Sequence, residues 1–290
     1  MGELILEQII NGIIAGSVYA LVAAGMTMIF GVLRAINFAH GEYYMLGTFS
    51  AWYVISKLGV SYPVSIILGI VMTMAIAAVV GRLVMQHLVT APFQSGVLAT
   101  LGLSLILQNA IVLGFGGTYK MFPGGWLSPV FIGDISIAWQ RIIILIVTIA
   151  MFVALELMVA RTRMGRSIRA VSQNIECCAV NGIDVERVVL ATFVLGTGLA
   201  AMSGVLTGPV NVTIYGGMGE AVTMKTFAVI VMGGMGNVRG TLLAGWILGI
   251  AESFVAGFIG LQYRDAVGFV ILIAMLMFRP TGLFSLQSRF

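Results

Sequence analysis

Apolar residues run along this chain in long blocks, each closed by a few charged, polar or turn-forming residues. The pattern is neither the alternation of a half-buried strand nor the narrow stripe of a soluble amphipathic helix. Gln8 to Leu33 contains no charged residue at all. The hydrocarbon core of a bilayer takes about 20 such residues at about 1.5 Å each. On that ruler the sequence predicts spans over residues 9–30, 42–57, 62–82, 93–114, 139–160, 188–210, 240–260 and 265–280. A weaker stretch, 222–238, carries Lys225 within it and glycines at its end. Irregular or short backbone at membrane depth survives only inside protein or beside a water-filled cavity, so this stretch is expected to be a short or broken helix within the bundle. The expected fold is all-α: a polytopic helical membrane protein of eight or nine membrane segments, forming a single transmembrane domain over 1–290.

Composition supports this reading. Only 9% of residues are charged and 60% are hydrophobic, with mean hydropathy +1.08. Soluble domains carry about 25% charged residues, so most of this chain is solvated by lipid. A net charge of +4 then reads as a cytoplasmic excess of Lys and Arg, with no nucleic-acid partner. With an outer N-terminus and nine crossings, ten cations fall inside: Arg34, Arg82, Arg161, Arg163, Arg166, Arg169, Arg187, Arg239, Arg279 and Arg289. Five, Lys57, Lys120, Arg141, Lys225 and Arg264, fall outside. Glu3 and Glu7 stand where a secretory signal would be basic, so the first span is expected to be retained. Cys177 and Cys178 are adjacent, lack metal-site spacing, and are expected to be free thiols.

Four cations crowd into "ARTRMGRSIRAVSQNIECCAVNGID" (160–184), in the loop between the fifth and sixth spans. Those nearest Ala160 anchor the end of a span. Beyond them Ile168, Val171, Ile175, Cys178 and Ala179 recur at helical spacing among Arg166, Arg169, Gln173, Asn174 and Glu176. Gly165 and Gly182 bracket the run. This predicts an amphipathic helix over 166–181, which either lies on anionic headgroups or docks in a groove of a soluble partner.

Polar groups inside the spans are the remaining candidates. "NFAHGEYYMLG" (37–47) brings Asn37, His40 and Glu42 to the head of a span. The histidine has no second ligand at metal-site spacing. "MGGMGNVRGTLLAG" (232–245) places Gly233, Gly234, Gly236 and Asn237 between two spans, either as a plain loop or as irregular backbone beside a substrate path. Its membrane flanks exclude a dinucleotide fingerprint. "GEAVTMKT" (219–226) misses a phosphate loop because Met224 stands before Lys225. Glu252, mid-span, would cost about 2.5–3.5 kcal/mol facing lipid and is expected to face the bundle interior. Gln108 and Asn109 are expected to hydrogen-bond between helices, and Gly12/Gly16 and Gly245/Gly249 to pack helices. Two histidines, His40 and His87, offer no catalytic arrangement, so neither an enzyme nor a metal or cofactor site is expected.

Three stretches together, "GSVYALVAAGMTMIFGVLRAINFAHGEYYMLG" (16–47), "MGRSIRAVSQNIECCAVNGID" (164–184) and "VIVMGGMGNVRGTLLAGWILGIAE" (229–252), resemble the permease subunits of bacterial ABC importers for branched-chain amino acids. The resemblance covers nearly the whole chain. It implies a multi-pass protein of the inner (plasma) membrane, working by alternating access with a second permease subunit, two cytoplasmic ATPases and a periplasmic amino-acid-binding protein. It makes the 166–181 helix a coupling helix, with Gly165, Arg166, Ile168, Arg169, Val171, Asn174, Ile175, Ala179 and Gly182 as its contact residues. Asn37, His40, Glu42, Gly233, Gly234, Gly236, Asn237 and Glu252 become candidates for the translocation path. Permeases of the same family for urea or short amides, an ion-coupled secondary amino-acid transporter using Glu252 and Glu42, and a passive channel are the alternatives.

Overall fold

The computed structural model describes residues 2–33, 36–89, 91–132 and 135–284. Arg34 and Arg289, assigned above to the inner side, lie outside the described residues. The long helices start and stop within a few residues of the apolar blocks: α1 (Gly2–Leu33), α2 (His40–Leu58), α3 (Tyr62–Val80), α5 (Phe93–Phe115), α6 (Trp139–Arg161), α9 (Val185–Asn211), α11 (Val238–Phe258) and α12 (Arg264–Phe278). A π-helical turn at Gly81–Met85 and the short α4 (Gln86–Leu88) prolong α3. Among the described residues, seven helices are long and apolar enough to cross a bilayer. The other two expected segments are α2, headed by His40 and Glu42, and α10 (Met218–Gly233). The latter has 16 residues and starts four residues before the expected 222–238.

Burial sorts the helices into two shells. In the most apolar 18-residue windows, 83% of α1 and 72% of α9 is buried, against 28% of α5 and 22% of α6. Glycines set the spacing of the inner shell. A Cβ on Gly16 would lie 2.3 Å from the Gly245 carbonyl oxygen, and one on Gly249 would lie 2.2 Å from that of Gly12. Only glycine permits this approach, which bears out the expected packing role of the two pairs. Gly25 with Gly196 brings α1 onto α9, and Gly204 against the Tyr44 carbonyl brings α9 onto α2. Pro209 lies inside α9 and cannot donate to Val205. Tyr62 Oη donates to that freed carbonyl at 3.3 Å, and Gln140 Nε2 to Leu206 O at 2.6 Å.

Cross-links identify two ends of the bundle. At one end Gln86 Nε2 donates to Glu186 O at 3.2 Å, and Arg239 pairs with Glu156. At the other, Arg141 Nη1 donates to Asn11 Oδ1 at 2.7 Å, and two short antiparallel ribbons cap the surface. These are β1 (Lys120–Met121) with β4 (Thr213–Ile214), and β2 (Pro129–Ile132) with β3 (Ile135–Ala138). The hydropathy pattern gave no sign of these strands, because each is only two to four residues long.

The chain between α6 and α9 differs from the single helix expected over 166–181. It forms α7 (Arg163–Gln173) and α8 (Ile175–Val180), broken at Asn174. Asn174 adopts φ −153° and its Oδ1 accepts from Cys177 N at 2.9 Å, so it caps the second helix. Gly165 is no breaker: it sits in the first turn of α7, pressed against the carbonyls of Met158 and Val159. Gly182 does end the motif, at φ +78°.

Candidate functional site

Two regions combine unusual chemistry with accessibility. The first is a cavity of about 480 Å³ among α1, α2, α6, α9, α10, α11 and α12, at the end that carries the ribbons. Its wall is mixed. Ile14, Val18, Ile144 and Val222 supply apolar surface, while Asn11, Tyr44, Arg141, Asn211, Lys225 and Arg264 supply polar groups.

An ion cluster forms one side of this cavity. Glu252, fully buried on α11, accepts at Oε2 from Tyr19 Oη at 2.9 Å and from Lys225 Nζ at 3.1 Å. Its Oε1 faces the same ammonium at 3.0 Å as an ion pair without hydrogen-bond alignment. Arg264 Nε reaches Oε2 at 3.3 Å. Lys225 also pairs with Asp265 Oδ1 at 2.8 Å, and its Nζ lies 5.1 Å from the centre of the Tyr19 ring. Glu252 therefore faces inward, as expected, and its cost at membrane depth is offset by two cations and a phenol.

Among the candidate path residues, only Glu252 belongs to this cluster. Asn37, His40 and Glu42 are buried at the junction of α1, α2 and α10. His40 donates from Nε2 to Val22 O at 3.0 Å. Val22 is eleven residues from the end of α1, so α2 begins about 16 Å within the protein. Glu42 Oε1 accepts from Ser104 Oγ at 2.9 Å and Gln108 Nε2 at 2.7 Å, while Oε2 faces Gly219 in the first turn of α10. Gly41 N donates to Thr223 Oγ1 at 3.1 Å. The first turns of α2 and α10 thus meet inside the bundle.

Gly233, Gly234, Gly236 and Asn237 lie at the opposite end from the cavity, in the turn from α10 to α11. Gly234 and Gly236 take φ of +91° and +89°, and Asn237 Oδ1 caps α11 by accepting from Gly240 N at 3.0 Å. Gln108 bonds between helices as expected. Asn109 does not: it is exposed and donates to Leu105 O of its own helix. The near phosphate loop at 219–226 is helical, and its lysine is engaged with carboxylates. Sequence reasoning assigned no role to Tyr19, Lys225, Arg264 or Asp265. The usable signal was the unpaired arithmetic of Glu252 and Lys225, two opposite charges each inside an apolar segment.

The second region is α7–α8. Gly165, Ile168, Val171 and Cys178 are buried, and the last three pack in a cluster with Val32 of α1, Phe152 and Leu155 of α6 and Val188 of α9. Ile175 is half-buried. Arg169 donates back to Val159 O, which ties α7 to the end of α6. Arg166, Asn174, Ala179 and Gly182 are exposed, and Val180 is 89% exposed. The apolar face is consumed by the protein itself, so this unit does not rest on lipid through it. It stands on the bundle as a projection whose outward face is polar around the exposed Val180. Cys177 and Cys178 are free.

The chain matches a family model described as branched-chain amino acid transport system / permease component over residues 8–276. It is 34% identical to the high-affinity branched-chain amino acid transport system permease protein BraD of Pseudomonas aeruginosa, covering 96% of this chain and 95% of that protein. Identity to LivH of Escherichia coli, which carries the same description, is 34% over 96% and 94%. A probable branched-chain amino acid transport permease protein LivH of Methanocaldococcus jannaschii is 28% identical over 96% and 92%. No solved structure matches. The chain is a multi-pass permease of the inner (plasma) membrane, and it belongs to the family of branched-chain amino acid transport system permease components.

Proposed function

We propose that this chain is one membrane-spanning subunit of an ATP-driven importer that passes leucine, isoleucine and valine into the cytoplasm by alternating access. The observation that carries the reading is the near full-length identity to BraD and LivH. Two structural features support it. One is a cavity that combines charged and aliphatic walls at one end of the bundle. The other is a projecting helix pair at the opposite end. The chain has no nucleotide-binding motif, so hydrolysis falls to partners: two cytoplasmic ATPases, with a second permease subunit beside this one and an amino-acid-binding protein outside.

On this reading all nine helical segments cross or enter the membrane, with α2 and α10 shortened because their first turns meet inside. The arginine-rich end that carries α7–α8 faces the cytoplasm. The exposed face of α7–α8, including Arg166, Asn174, Ala179 and Gly182, docks on an ATPase, while Ile168 and Val171 transmit its movement to α1, α6 and α9. An ion-coupled transporter would need a carboxylate free to take up a cation. Glu252 is already held by Lys225 and Arg264, which disfavours that alternative.

The test is uptake of labelled leucine by vesicles containing the assembled complex. Uptake is expected only with ATP on the ATPase side and the binding protein on the other. Equal uptake without ATP would contradict the proposal.

A further inference from the structure

The ion cluster beside the outer cavity has a property that a purely structural network would not need. Its inner half is sealed, since Glu252 is fully buried with Tyr19, Lys225 and Arg264 around it. Its outer half is open. Lys225 has 12% of its side chain exposed, and its second partner, Asp265, has 75% exposed. Glu252 neutralises one of the two cations, so the charge left over is balanced by a carboxylate standing in water. Water competes for that exposed carboxylate, so this arm of the cluster is the one that exchanges readily. Asp265 lies in the first turn of α12, where unsatisfied backbone N–H groups favour an anion and no side chain caps the helix. Ile14, Val18 and Val222 line the same cavity.

We propose that this wall is a binding site for the zwitterionic head of a free amino acid. The substrate α-carboxylate displaces Asp265 from Lys225 and also meets Arg264. The released Asp265 carboxylate takes the α-ammonium. The aliphatic side chain lies on Ile14, Val18 and Val222. The exchange conserves charge: a net-neutral ligand enters a net-neutral cluster, so no uncompensated charge is buried. Neither a carboxylic acid lacking the amine nor an amide lacking the carboxylate satisfies both partners. The assignment rests on the importer reading above and deepens it by naming the groups that touch substrate.

Cysteine protection tests it in the whole complex. Ala221, which lines the cavity, is replaced as Ala221→Cys with the natural Cys177 and Cys178 kept at the opposite end, and its reaction with a membrane-impermeant thiol reagent added from outside is timed. L-leucine is expected to slow labelling, whereas leucinamide and 4-methylpentanoate do not. Lys225→Gln is expected to weaken protection by about tenfold or more in leucine concentration, the scale of a charge-assisted contact, and Lys225→Arg to retain it. Equal protection by all three ligands, protection unchanged in Lys225→Gln, or no protection overturns the site. ATP-driven leucine uptake is measured on the unsubstituted complex. Uptake without protection refutes the site alone, and absent uptake refutes the importer reading separately.

Discussion

At the scale of single residues, the protein tolerates charge in its interior only where the partners are complete. Glu252 has Tyr19, Lys225 and Arg264. Glu252→Ala would leave Lys225 and Arg264 with Asp265 as the one remaining carboxylate of the cluster, and removing one partner of a buried pair costs about 3–5 kcal/mol. Thermal unfolding of the purified complex is expected to show this loss. Glu252→Ala combined with Lys225→Ala should restore part of the stability, and an unchanged midpoint in Glu252→Ala would count against the pairing. Glycines are equally specific. Gly16→Val would drive a Cβ into the Gly245 carbonyl, forcing α1 and α11 apart. The expected outcome is a loss of folded protein in detergent, measured by size exclusion. Gly31→Val, with nothing within 4 Å of its Cβ position, should leave that yield unchanged.

At the scale of elements, the apolar blocks were legible because lipid imposes one length on every span. Seven of the nine segments fall within about three residues of where composition placed them, while α1 starts well before its block and α10 is displaced towards the N-terminus. What the pattern could not show was set by single polar contacts. Asn174 reads as one more polar residue on a helical face, yet its side chain ends one helix and starts another. Glu42 and His40 stood out as polar residues heading a span, but nothing in the sequence says that the first turn of α10 comes to meet them. Lys225 was visible inside an apolar segment, while its partners lie 27 and 40 positions further along the chain. The cap gives a direct test. Asn174→Ala is expected to cost about 1 kcal/mol locally, seen as faster amide exchange at Cys177 through Val180. Exchange at native rates would mean the break has another cause.

At the scale of the whole molecule, the two regions of interest occupy opposite ends of the bundle. The cavity with its ion cluster lies at the end that carries the ribbons. The α7–α8 pair stands at the other end, packed on α1, α6 and α9 through Ile168, Val171 and Cys178. Two of those three helices, α1 and α9, are also the most buried spans, and α1, α6 and α9 all line the cavity through Val18, Ile144 and Asn211. On the proposed reading, a push on α7–α8 has a route to the cavity wall through these packed helices.

The central claim is that energy from ATP enters through α7–α8. Val180, the most exposed large apolar residue of that pair, offers the direct measurement: Val180→Cys with the exposed Cys177 changed to serine and the buried Cys178 kept, assembled with the ATPase subunits and treated with a short bifunctional thiol reagent. A covalent adduct between this chain and an ATPase subunit is expected, increasing when ATP is bound. Absence of any adduct, or reaction of the cysteine with an impermeant reagent from the cavity side, would contradict the account.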